Sequence, residues 1–339
     1  MFAKPVAINI SNWLFFVCFL IFSMVVVGGI TRLTESGLSM VNWHPIMGAI
    51  PPLSEAAWLR EFADYQQSPQ YKLTNSGMTL AAFKGIYWWE WGHRLLGRLI
   101  GLVFFIPLVW FWMRKQIPKG FKGRLLFLLL LGAAQGFLGW YMVQSGLIDE
   151  PRVSHLRLTA HLSLALFILG LAYWTALELR PTVHTHSTKL IKRLTHLLAL
   201  LVVLQLLLGG LVAGLKAGYI YNTWPLMGDG FVPTYLFDIE PWYVSLINSA
   251  TTTQFFHRMT AYLIACLVIL LWVIVMRAKA SPHIKRATFL LVVCIAGQIF
   301  IGVVMLLKEI PVVWGAAHQA GGVIVLMVLL RLMHLQTHR

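Results

Sequence analysis

The chain has 339 residues, 58% of them hydrophobic and only 12% charged, with a formal charge of +15. That balance excludes a soluble globular domain and points to a multi-pass membrane protein. The basic excess is accounted for by topology and anionic lipid, which leaves no nucleic-acid partner to explain it.

Eight apolar runs approach the length needed to cross a bilayer, at approximately 12–31, 88–113, 124–144, 156–178, 192–214, 251–276, 286–307 and 313–334. The first reads as a retained helix and not a cleaved secretory signal, because its basic region is weak and no small-residue cleavage site follows. Basic clusters follow the second, fourth and sixth runs: Arg114, Lys115, Lys119, Lys122 and Arg124, then Arg180, Lys189, Lys192 and Arg193, then Arg277, Lys279, Lys285 and Arg286. By the positive-inside rule those connections are cytoplasmic, and so are both termini. The external connections hold about 57 and about 36 residues, both with Trp and Pro, and are expected to form short helices at headgroup depth. Cys18, Cys266 and Cys294 all fall within spans, so no disulfide framework is expected and all three read as small core residues.

The chain repeats itself. GGITRLTESGLSMVNWHPIMG from Gly28 is echoed by GGLVAGLKAGYIYNTWPLMG from Gly209, which aligns Gly37 with Gly218 and Trp43 with Trp224. His93-Arg94 matches His257-Arg258, QGFLG from Gln135 matches QIFIG from Gln298, and His161 matches His318. The expected fold is therefore an all-α membrane protein whose eight transmembrane helices form two pseudo-symmetric four-helix bundles, residues 1–180 and 181–339. Four is even, so both halves enter the membrane in the same sense and the repeat is parallel. The segment from Arg180 to Ser187 is the expected linker.

His93, His161, His257 and His318 each lie in the first two turns of an even-numbered run, which places all four toward the outer face. Imidazole is costly to leave unpartnered in hydrocarbon, so four at matching depth need partners. Two per half is the number that axially ligates one haem iron, whereas a zinc ion usually takes three or four protein ligands. Arg94 and Arg258 follow directly and are candidates for haem propionate contacts; headgroup phosphate is the alternative for both. The other eight histidines read as solvated: His44 and His155 outside, and His184, His186, His196, His283, His334 and His338 in or beside cytoplasmic segments.

Glu90 precedes His93 by three residues and shares its helix face, while Gln254 holds the same place before His257. An ionisable group at one site and a neutral isostere at the other suggests that only the first site handles protons or a developing positive charge. Solvation or pairing with Arg94 is the plainer reading of that carboxylate.

WEWGHRLLGR, RLTAHLSLAL, TTQFFHRMTAY and GAAHQAGG, around the four histidines, together with GGITRLTESGLSMVNWHPIMGAIPP, resemble the haem A synthase family along the whole chain. The resemblance implies an oxidoreductase of a bacterial cytoplasmic (inner) membrane that oxidises a ring methyl group of haem O to a formyl group, giving haem A for terminal oxidases. It implies that His93 and His161 hold the haem O iron, that His257 and His318 hold a haem b cofactor, and that Glu90 is catalytic. A haem O synthase and cytochrome oxidase assembly proteins are candidate partners, and a homo-oligomer is a candidate state. The competing class is a dihaem cytochrome b that relays electrons from quinol; a haem carrier is a third.

Overall fold

A computed structural model describes residues 4–43, 47–148, 151–181 and 185–337. It is helical: α1 (Lys4–Leu33), α2 (Glu55–Gln66), α3 (Pro69–Leu73), α4 (Leu80–Met113), α5 (Lys122–Gln144), α6 (His155–Glu178), α7 (Lys189–Gly214), α8 (Ser245–Asn248), α9 (Ala250–Arg277), α10 (Pro282–Leu307) and α11 (Val312–Leu335). Eight of these, α1, α4 to α7 and α9 to α11, are long and apolar enough to span a membrane. His44, His184 and His338 lie outside the described residues.

Polar caps start several spans. Thr79, Thr188 and Ser249 accept the backbone N–H three residues on, which satisfies donors that a helix start would otherwise leave open. The largest departure from the hydropathy reading inside the chain is α4, which begins eight residues before 88. Its extra turns carry Phe83 and Tyr87, which are buried with Met40 and with Trp58 and Tyr65 of α2. Tyr65 stacks on Phe83 at 5.1 Å and Trp58 meets Tyr87 edge-on at 4.9 Å. These contacts order the turn that carries Lys84. The short helices expected in the two long connections are present as α2, α3 and α8.

By compactness the chain falls into two units, Phe19–Ala165 and the pair Met1–Cys18 with Leu166–Arg339. The first contains the aromatic cluster just described. In the second, the start of α1 packs on α6: Ser11 Oγ donates to the Ala176 carbonyl at 2.8 Å, and Phe15 meets Tyr173 edge-on at 5.8 Å. Its core gathers Leu198, Leu271, Ile284, Leu291, Leu329 and Leu332 from α7, α9, α10 and α11. Helices in lipid gain little from hydrophobicity and pack where small residues allow close approach. Gly170 is such a place, where an added Cβ would stand 3.3 Å from Leu330 Cδ1.

The expected linker is tied down at both ends. Arg180 Nε donates to Ser11 Oγ at 2.9 Å, and its Nη2 pairs with Asn12; Thr185 Oγ1 donates to the Leu335 carbonyl. Two expectations need correction. His334 is not solvated; it is buried at the end of α11 with its ring edge-on to Trp174 at 5.3 Å, because that turn packs on α6. Cys18 is a core residue, but Cys294 is half-buried and Cys266 is exposed on its helix, since a span has a lipid face as well as a packed one.

Candidate functional site

Each of the four histidines places its ring against a glycine of a neighbouring helix. On α4, His93 faces Gly28 of α1, where an added Cβ would stand 3.1 Å from Nε2. On α6, His161 faces Gly139 of α5, with Cε1 at 3.0 Å from such a Cβ; His257 on α9 faces Gly209 of α7 at 3.3 Å, and His318 on α11 faces Gly302 of α10 at 2.7 Å. A side chain at any of these glycines would meet the ring. Gly28 and Gly209 are equivalent in the repeated sequence, and so are Gly139 and Gly302. The same helix pairing thus recurs on either side of the repeat.

Glutamines brace three of the rings. Gln135 Nε2 donates to the His161 carbonyl at 3.0 Å and lies 3.3 Å from the ring Nε2. Gln298 donates to the His318 carbonyl at 2.8 Å and lies 3.2 Å from Nδ1, while Gln205 Nε2 lies 3.2 Å from His257 Nε2. In every case the glutamine stands one helical turn before the glycine, at i−4.

These features fit an iron porphyrin between two imidazoles. The His257 and His318 ring centroids are 6.4 Å apart, a gap of the size spanned by two metal–nitrogen bonds of about 2 Å each plus the ring radii. Among the described residues Nδ1 of His161 and of His257 is buried without a hydrogen-bond partner, while the other ring nitrogen meets a glutamine. Metal-ligating imidazoles divide their nitrogens in this way, one for the metal and one for an orienting partner. His93 and His161 both belong to the other unit, Phe19–Ala165.

Glu90 is 2% exposed, and three donors hold it. Oε2 accepts from Ser39 Oγ at 2.7 Å and from the Met40 backbone N–H at 2.8 Å, and Oε1 accepts from Arg94 Nη2 at 2.6 Å. Arg94 also donates to the Met40 carbonyl at 3.0 Å and lies over the Trp43 ring at 5.0 Å. The carboxylate is thus fastened to the loop between α1 and α2 and held in an ion pair one turn along its own helix. At the equivalent place Gln254 Nε2 donates to the Tyr221 carbonyl at 3.1 Å. There Arg258 donates to the carbonyls of Tyr221, Thr223 and Leu226, with its Nε buried and, among the described residues, unpartnered. Both arginines therefore anchor a loop, but only Arg94 does so through a carboxylate.

The family described as cytochrome oxidase assembly protein matches residues 11–330. The chain is 47% identical to the haem A synthase of Nitrosospira multiformis, over 95% of this chain and 90% of that one. It is 50% identical to the haem A synthase of Parvibaculum lavamentivorans, over 93% and 91%, and 45% identical to that of Sinorhizobium fredii, over 94% and 87%. The chain belongs to the haem A synthase family. It is thereby a multi-pass membrane member of a family of haem-biosynthetic enzymes, and the relatives lend no support to an electron-relay cytochrome.

Ser39, Met40 and Gln205 escape the sequence reading of this haem A synthase family member, and the four ring-facing glycines stand in it only as members of the repeated motifs. Gln135 and Gln298 are visible there as repeat landmarks without a role. Extending that register back to Gln205 and Gly209 gives the spacing of the third brace, whereas Ser39 and Met40 carry no local signal.

Proposed function

We propose that the chain converts haem O to haem A as an oxidoreductase acting on a CH group. Two hydroxylations at one ring methyl, each removing two electrons, give a geminal diol that loses water to leave the formyl group, and the four electrons pass overall to an external oxidant. The observation that carries this reading is the buried Glu90, held by Ser39, Met40 and Arg94, where the second half has Gln254. An electron relay needs the imidazoles and has no use for that difference.

In this reading His93 and His161 hold the substrate haem O, and His257 and His318 hold haem b, which supplies one-electron redox chemistry when bound. Glu90 borders the substrate. Three donors fix both of its oxygens, which suits a stationary negative charge facing a positive charge that develops on the substrate carbon. Arg94 and Arg258 are the propionate candidates, Arg258 through its unpartnered Nε. Residues 1–180 and 181–339 are the substrate and cofactor halves, in a bacterial cytoplasmic membrane with both sites toward the outer face. Haem O synthase and oxidase assembly proteins are the partners this role calls for.

The test is to express the chain in a host that makes haem O but no haem A, extract the haems with acid and weigh them. Hydroxymethyl and formyl derivatives are expected. Unmodified haem O and haem b alone would refute the proposal.

A further inference from the structure

The helix-turn spacing that puts a glutamine before each ring-facing glycine holds at Gln135 and Gly139, at Gln205 and Gly209, and at Gln298 and Gly302. At the fourth site the residue one turn before Gly28 is Met24. Its thioether has no proton to donate and is a weak acceptor. Among the described residues His93 makes no side-chain hydrogen bond, whereas each of the other three rings meets an amide at 3.2 or 3.3 Å.

Two further features separate His93 from the others. Its ring is turned so that Nε2 is the atom nearest Gly28, while in the three braced rings Cε1 is nearest the glycine. Met24 itself reaches α4: an added Cβ at Gly97 would stand 3.0 Å from Met24 Cε. Gly97 lies one turn beyond His93 on the same face, and the second half has Ala261 there. Met24 thus crosses toward the histidine's helix, ends in a methyl group, and leaves the imidazole to turn.

We infer that Met24 makes His93 the releasable ligand and so marks the first site as the one that exchanges its porphyrin. The substrate half has one braced imidazole, His161, and the cofactor half has two. An enzyme that converts one haem while keeping another needs this inequality, because product must leave one site and the resident group must stay in the other. Orienting partners of metal-bound histidines typically contribute 10–100-fold to metal affinity, so removing or adding one is a large lever on release. The inference rests on the assignment of substrate and cofactor halves above. Met24 acts through His93 and is a positioning residue.

The experiment uses the full chain, purified in detergent with both haems bound, and follows haem transfer to excess apomyoglobin. Two phases are expected, with the fast one absent in His93→Ala. Met24→Gln is expected to slow the fast phase by about tenfold and leave the slow one unchanged, while Gln205→Met accelerates the slow phase by about tenfold. Gln298→Met is the second variant for the slow phase. Each substitution should also shift the midpoint potential of the haem in its own half alone, which general loosening of the fold would not do. An unchanged fast phase in a fully loaded Met24→Gln protein would overturn the inference, as would a slow phase indifferent to both glutamine substitutions. Failure of the functional reading is told apart by the acid extracts: a chain that forms no formyl haem yet shows these rates refutes the enzyme assignment and keeps the brace. One that forms formyl haem with unaltered Met24→Gln rates refutes the brace alone.

Discussion

Glu90 is the residue on which the proposed chemistry turns, and its surroundings make separable predictions. Glu90→Gln keeps the hydrogen-bonding shape and removes the charge, so haem content should hold while formyl product falls by about 10²-fold or more, as loss of a preorganised charge does. Ser39→Ala removes one of three donors and leaves the Arg94 ion pair; product formation should fall by about tenfold, the factor that one net hydrogen bond supplies. Chromatography of acid-extracted haems reads both. The glycines give a structural counterpart. Gly302→Val drives a side chain into the His318 ring and should abolish haem binding in that half, whereas Gly136→Val, with nothing within 4 Å of its Cβ, should keep full haem content by pyridine haemochrome assay. The residue in the equivalent place of the second half, Ile299, already carries such a side chain.

The element that delivers the carboxylate is α4, and its first turns are held by the aromatic side chains of α2. Phe83 is fully buried between Tyr65, Phe62 and Trp58. Phe83→Ala should cost about 3–5 kcal/mol of local stability, visible as a lower midpoint for thermal loss of tryptophan fluorescence anisotropy. Because Met40 belongs to the same cluster and also donates to Glu90, product formation should drop with it while both haems stay bound. Hydropathy finds the eight spans because apolar length is a local property, but it cannot find where α4 starts. That boundary is set by α2, whose aromatic residues meet the helix only after the chain has folded back. The partners of Glu90 are hidden for the same reason, since Ser39 and Met40 lie 51 and 50 positions earlier. Buried His334 and exposed Cys266 show the same limit from opposite sides: residue type and depth do not reveal which face of a span meets protein.

Across the whole molecule, one device is used twice with small changes. The repeated glycines and histidines were legible as a pattern before any coordinates, and so was the contrast between Glu90 and Gln254. Their meaning as ring-on-glycine contacts required the packing of α1 with α4, α5 with α6, α7 with α9 and α10 with α11. The central claim is that two imidazole pairs hold two different porphyrins, the reactive one beside Glu90. The most direct measurement is the identity of the haem retained by His161→Ala and by His318→Ala, each purified from a host that makes haem O, extracted with acid and weighed. The account predicts haem b alone in His161→Ala, and haem O without haem b in His318→Ala. Loss of the same haem from both variants, or an unaltered mixture in either, would contradict it.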